Sequence, residues 1–179
     1  MPRHRNGAPK RHDCYAIGRQ PDRDGILLGE CQLIELLDKM VVIRSIEELQ
    51  LYQSKSPNSI QGVPAHFTRS SITLNGIGST ITFGKDVRLQ NANLIVVADD
   101  AHIDIDDQSS IKSHIRAGTG STVTVGKRLS STGGGSMSAA EGANLTIGDD
   151  CMFAIHIDIR TDHSHPIFDR KTGKRVNPS

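Results

Sequence analysis

Two histidines, an aspartate and a serine crowd one stretch of the chain, Asp162-His163-Ser164-His165, which is closed by Pro166. They follow an alternating run, Ile155-His156-Ile157-Asp158-Ile159-Arg160. Its period of two is that of a strand with the isoleucines on one face and His156, Asp158 and Arg160 on the other. Three readings suit these residue types. His163 and His165 share a face of a continued strand and can hold a metal with Asp162 or Asp158, further ligands coming from His156 or His114. Alternatively, one histidine with a near-neutral pKa, oriented by an acceptor on its other nitrogen, is a general base. A polar surface corner does neither. The residue types alone leave all three open.

Other candidate motifs give weaker signals. Gly84-Lys85 and Gly126-Lys127 suggest phosphate loops, but the glycine spacing is wrong, and Asp86 and Arg128 stand where a magnesium-binding Ser or Thr belongs. The acidic run Asp99, Asp100, Asp104, Asp106, Asp107 lacks the central Gly and closing Glu of a calcium loop and reads as a solvated face. Gly133-Gly134-Gly135 reads as a corner in the chain, since no helical pattern follows it.

The elements that must position the corner are narrow. Apolar residues make up 36% of 179, aromatics 3%, and there is no Trp. Such a composition suits a slender core of Ile, Val and Leu better than a bundle or a sandwich. From Ser70 a four-residue unit recurs as Ile81-Thr82-Phe83-Gly84, Ile103-Asp104-Ile105-Asp106, Val123-Thr124-Val125-Gly126 and Leu145-Thr146-Ile147-Gly148, at steps of 22, 20 and 22 residues. Aliphatics flanking one outward polar residue, repeated at that period, predict an all-β solenoid of stacked parallel coils. An antiparallel sandwich also has short strands, but its pattern does not recur at near-constant spacing.

Upstream, residues 1–24 are rich in Arg, His and Pro and read as a disordered basic tail, with a docking arm (Arg3, Arg5, Lys10, Arg11) as the alternative. Residues 25–60 read as a helical cap. Leu33, Leu36, Leu37, Met40 and Val41 form one amphipathic stripe, and Ser45-Ile46-Glu47-Glu48 opens a second helix as a capping box. The β-helix domain is read over 66–179. Net charge is +1, with 21 basic and 20 acidic residues, which argues against nucleic acid as a partner. The three cysteines are far apart and unpaired in pattern. That usage, with no apolar run long enough for a membrane span, suits a soluble cytoplasmic protein.

Gly148-Asp149-Asp150-Cys151-Met152-Phe153, Ile157-Asp158-Ile159-Arg160-Thr161, Ser164-His165-Pro166 and Arg175-Val176-Asn177-Pro178 together resemble the hexapeptide-repeat acyltransferases. The resemblance is nearest to O-acetyltransferases of capsular and other surface polysaccharides and covers roughly Ser70 to Ser179. It implies a left-handed parallel β-helix, a homotrimer, acetyl-CoA as co-substrate, no catalytic metal, and a sugar or polysaccharide acceptor. His165 matches the family's catalytic base. The family's Asp two residues earlier is here His163, so Asp162 is the candidate orienting acceptor, and Arg160, His163 and Ser164 are candidate acceptor-binding residues. Relatives continue past the Asn-Pro with further coenzyme A-binding coils, which this chain lacks. The expectation is therefore of weak or undetectable coenzyme A binding, negligible acetyl transfer by the 179 residues alone, and a flexible Arg170–Arg175 segment. The rival expectation, from the bland reading of the same residues, is a non-catalytic β-solenoid for carbohydrate binding or assembly.

Overall fold

The computed structural model describes residues 40–53, 58–140, 142–161 and 166–176. The repeat appears as a parallel solenoid. One ladder stacks β2 (Ser59–Gln61), β5 (Thr80–Phe83), β8 (His102–Ile105), β11 (Thr122–Val125) and β13 (Asn144–Ile147), each in register with the next. These strands open five successive coils. A second ladder joins β3 (His66–Thr68), β6 (Arg88–Gln90), β9 (Ser110–Ile111) and the start of β12 (Ser130–Ala139). The third joins β4 (Ser71–Leu74), β7 (Asn93–Val96), β10 (His114–Ala117) and the end of β12. In the last two coils the second and third faces are made by one bent strand each, β12 and β14 (Met152–Arg160), which pair in parallel along their length.

The alternation seen in the sequence sets which side chains fill the bore. Ile81, Ile103, Val123 and Val125 are fully buried, and Ile105, Phe83 and Leu145 nearly so. Thr82, Asp104, Thr124 and Thr146 point outward between them. Each buried Ile or Leu contributes about 1.5–3 kcal/mol by leaving water, and the period aligns them rung on rung. Ile147 is only half-buried because, among the described residues, no coil lies beyond the fifth on that face.

Helix α1 (Ile46–Gln53) sits at the N-terminal end. Ser45 Oγ accepts the Glu48 N–H at 3.1 Å, half of the capping box, while Glu48 Oε2 accepts from the Arg44 N–H at 2.6 Å. The backbone N–H and Ser45 hydroxyl at its N-terminus hold the Glu47 carboxyl below its ordinary pKa. Leu49 is fully buried, and Gln53 Nε2 donates to the carbonyls of Ile60 and Gly62, tying the helix to the first coil. Val41, read as the last position of an amphipathic helix, instead begins β1 (Val41–Ile43), antiparallel to β4. Three β-branched residues in a row, Val41, Val42 and Ile43, pair more readily with an open sheet edge than they extend a helix. Leu33, Leu36 and Leu37, like the whole 1–24 tail, lie outside the described residues. Among those described, no helix is long and apolar enough to cross a membrane.

Candidate functional site

The candidate corner follows the end of β14. Its strand does not keep the single alternation expected of Ile155 to Arg160. His156 takes a left-handed backbone, φ 58°, where the fifth coil turns from the second face to the third. Ile155 is therefore 61% exposed, and only Ile159 packs on the core from this run of isoleucines. Past the turn, Asp158 and Arg160 point outward as read from the sequence.

The register brings separated residues into columns on the third face. His114, Ser136 and Asp158 occupy one column, and Arg116, Ser138 and Arg160 the next. At the roughly 4.8 Å spacing of paired strands, the ends of each column lie about 10 Å apart. Ser136 Oγ donates to Asp158 Oδ1 at 2.8 Å, and His114 Nδ1 is 3.0 Å from Asn93 Nδ2. The Asn93 amide nitrogen is the donor in this pair, so His114 Nδ1 accepts. The ladder continues one step past Arg160, where the Thr161 N–H donates to the Ser138 carbonyl at 3.1 Å.

Of the predicted site residues, Arg160 is thus an exposed side chain at the head of a column. Asp162, His163, Ser164 and His165 lie outside the described residues. Described structure resumes at Pro166 and forms a hairpin in which Phe168 bridges Arg175 antiparallel and the Val176 N–H donates to the Ile167 carbonyl. Asp169 Oδ1 accepts from Lys171 N, Thr172 N and Thr172 Oγ1 at 2.7–3.0 Å. The Thr172 N–H above all holds this carboxyl below its ordinary pKa. The Arg170–Arg175 segment, expected to be flexible, is organised as a capped turn.

Other motifs resolve into scaffold. Asp99 Oδ1 accepts the Ile77 N–H, Asp107 Oδ1 the Lys85 N–H and Asp149 Oδ1 the Lys127 N–H, each at 2.8 Å and each one coil back. Asp99, Asp107 and Asp149 are corner caps, and the Lys85 and Lys127 N–H groups of the two Gly-Lys pairs are among the donors they cap. Among the described residues no three His, Cys, Asp or Glu side chains gather closely enough to hold a metal.

Sequence reasoning missed Arg88 on β6, Lys112 just past the end of β9 and Arg116 on β10, three outward cations. Only the register shows which residues stand beside each of them.

No protein-family model and no curated protein matches the sequence. Among solved structures, the chain is similar to the polySia-specific acetyltransferase NeuO. The two are 27% identical over 67% of this chain, with a TM-score of 0.47. The aligned part covers 55% of NeuO, so the chain spans about half the length of that structure.

Proposed function

We infer that the protein is an acetyl-CoA-dependent O-acetyltransferase acting on a sugar hydroxyl of a surface polysaccharide or its precursor. What carries the reading is one juxtaposition: an in-register parallel solenoid whose last described strand, ending at Arg160, is followed in sequence by Ser164-His165-Pro166, which resembles the acyltransferase motif. The solenoid is taken to be left-handed, with 66–179 as its acyltransferase domain. His165 removes the proton of the sugar hydroxyl as its oxygen attacks the thioester carbonyl. The C–S bond then breaks, the thiolate takes the proton back, and the products are the acetyl ester and coenzyme A thiol. A hydroxyl is a poor nucleophile until a base stands within hydrogen-bond reach, which is the need His165 meets. Asp162 orients the imidazole, and Arg160, His163 and Ser164 bind the acceptor. No metal takes part.

We place the protein in the cytoplasm, where acetyl-CoA is available, and as a homotrimer. The exposed apolar side chains of the fifth coil, Met152 at 81% and Ile155 at 61%, are consistent with burial between subunits. Light scattering checks the trimer, a stable monomer at high concentration arguing against it. The activity test follows coenzyme A thiol release from acetyl-CoA with a panel of oligosaccharide acceptors. Acceptor-dependent release abolished in His165→Ala supports the reading. Glycan binding without release would favour the carbohydrate-binding module instead.

A further inference from the structure

We propose that the second face of the solenoid carries a binding groove for an acidic glycan, a sugar chain bearing carboxylate or phosphate groups. The groove has a volume of about 340 Å³ and is lined by His66, Thr68, Arg88, Gln90, Ser110 and Lys112. These are the outward positions of β3 and β6, with Ser110 on β9 and Lys112 just past its end. The register sets His66, Arg88 and Ser110 in one column and pairs Thr68 with Gln90 in the other, where Lys112 takes the next place. The lining therefore crosses three coils, about 10 Å at the spacing of paired strands.

The charge of the groove is uncompensated. Its lining contains no carboxylate, and the side chains of Arg88 and Lys112 make no ion pair or hydrogen bond with any described residue. The nearby acids are otherwise engaged or lie at the rim. Asp150 is held by Arg128, Asp107 lies 3.9 Å from Lys127, and Asp86 sits at the adjoining corner, in a second hollow that Arg88 also lines. Two free cations in a concave wall raise the local concentration of anions. Arg88 offers a planar fork suited to a carboxylate or phosphate, and Lys112 a point charge.

The remaining groups favour a sugar over a nucleic acid. Thr68, Gln90 and Ser110 offer hydroxyl and amide partners for sugar hydroxyls, and no Phe, Tyr or Trp lines the groove for a base to stack on. The chain's net charge of +1 gives no wide field for a nucleic-acid backbone. The inference does not depend on acetyl transfer at His165, because a binding module would use the same groove.

The test measures binding by calorimetry at low salt, using an oligogalacturonate, a phosphorylated oligosaccharide, a neutral maltooligosaccharide, inorganic phosphate and a single-stranded oligonucleotide. Saturable binding is expected for one or both acidic oligosaccharides, the two arms telling carboxylate from phosphate. Arg88→Ala with Lys112→Ala is expected to weaken it by at least about tenfold, the loss typical of a charged hydrogen bond. Equal binding of the neutral oligosaccharide, an unchanged double variant, or no binding at millimolar concentration would overturn the proposal. So would tighter binding of the oligonucleotide, or binding of inorganic phosphate as an adventitious ion only. Should the double variant misfold, amide shifts in the unaltered protein decide: changes at Thr68, Gln90 and Ser110 are expected, and changes confined to other faces refute the groove.

Discussion

Arg128 grips the carboxylate of Asp150 one coil later with two nitrogens, Nε at 2.5 Å and Nη2 at 2.7 Å. Both residues hold left-handed backbones at the same corner, φ 58° and 57°, so the fork spans stacked turns and not a single loop. The hydrogen bond from Arg128 is the chief cause holding the Asp150 carboxyl below its ordinary pKa, and the same bond raises that of Arg128.

That depression sets a pH window. A carboxyl whose folded pKa lies below its unfolded one adds stability that is fully present above the unfolded value, near 4. The contribution fades as pH falls through the folded value. Thermal melts should show Asp150→Asn slightly less stable than the parent at pH 7 and equal to it in strong acid. The pair is exposed and bidentate, so added salt should narrow the difference at neutral pH. A gap that persists in acid would mean the asparagine acts through packing.

Gly135 in the bent strand β12 and Gly142 in the turn that follows it differ sharply in what they tolerate. A Cβ on Gly135, at φ 91°, would stand 2.2 Å from the Ile157 carbonyl oxygen, backbone that cannot swing away. Gly142, at φ 75°, has nothing within 4 Å. Gly142→Ala should therefore cost only the left-handed penalty, about 1–2 kcal/mol. Gly135→Ala should cost clearly more, because β12 and β14 must also part there. Denaturant midpoints of the two variants measure the difference, and equal losses would show that the corner yields.

Val125 and Thr146 separate the two sides of the first face. Val125→Asp places an unpaired charge in the bore and should destabilise the fold by more than about 4 kcal/mol. Thr146→Asp, on an exposed position of the same ladder, should stay within about 0.5 kcal/mol. Circular dichroism melts distinguish the outcomes. A tolerated aspartate at position 125 would contradict the rung-on-rung core.

The inward positions were legible because a coil period fixes them locally. Ile81, Ile103, Val123 and Leu145 announce the ladder by spacing alone, and the capping serine Ser45 announces α1. What escaped the sequence depends on partners a full coil away. Asp107 looked like a solvated acid because the Lys85 N–H it caps lies 22 residues back. The isoleucines around His156 looked like one continuous face because nothing local marks a histidine for a left-handed corner. Arg160 could be placed on a strand, but its column with Ser138 and Arg116 needed the register. Asp162, His163, Ser164 and His165 lie outside the described residues, so their roles rest on residue type and motif.

Those roles divide in a way that mutation reads directly. As general base, His165 should account for about 10²–10⁴-fold of the rate, so His165→Ala should lower kcat by that factor with little change in acetyl-CoA affinity. His163, placed as an acceptor contact, should affect mainly the acceptor KM when changed to Ala, and cost much less in kcat. Asp162→Asn should fall between them, and its pH–rate profile should move, because an orienting carboxylate raises the pKa of its histidine. A metal site would behave differently. His163→Ala and His165→Ala would then lose activity equally, and a chelator would silence the parent until zinc was restored. Turnover in metal-free buffer, unequal between the two variants, is the result expected.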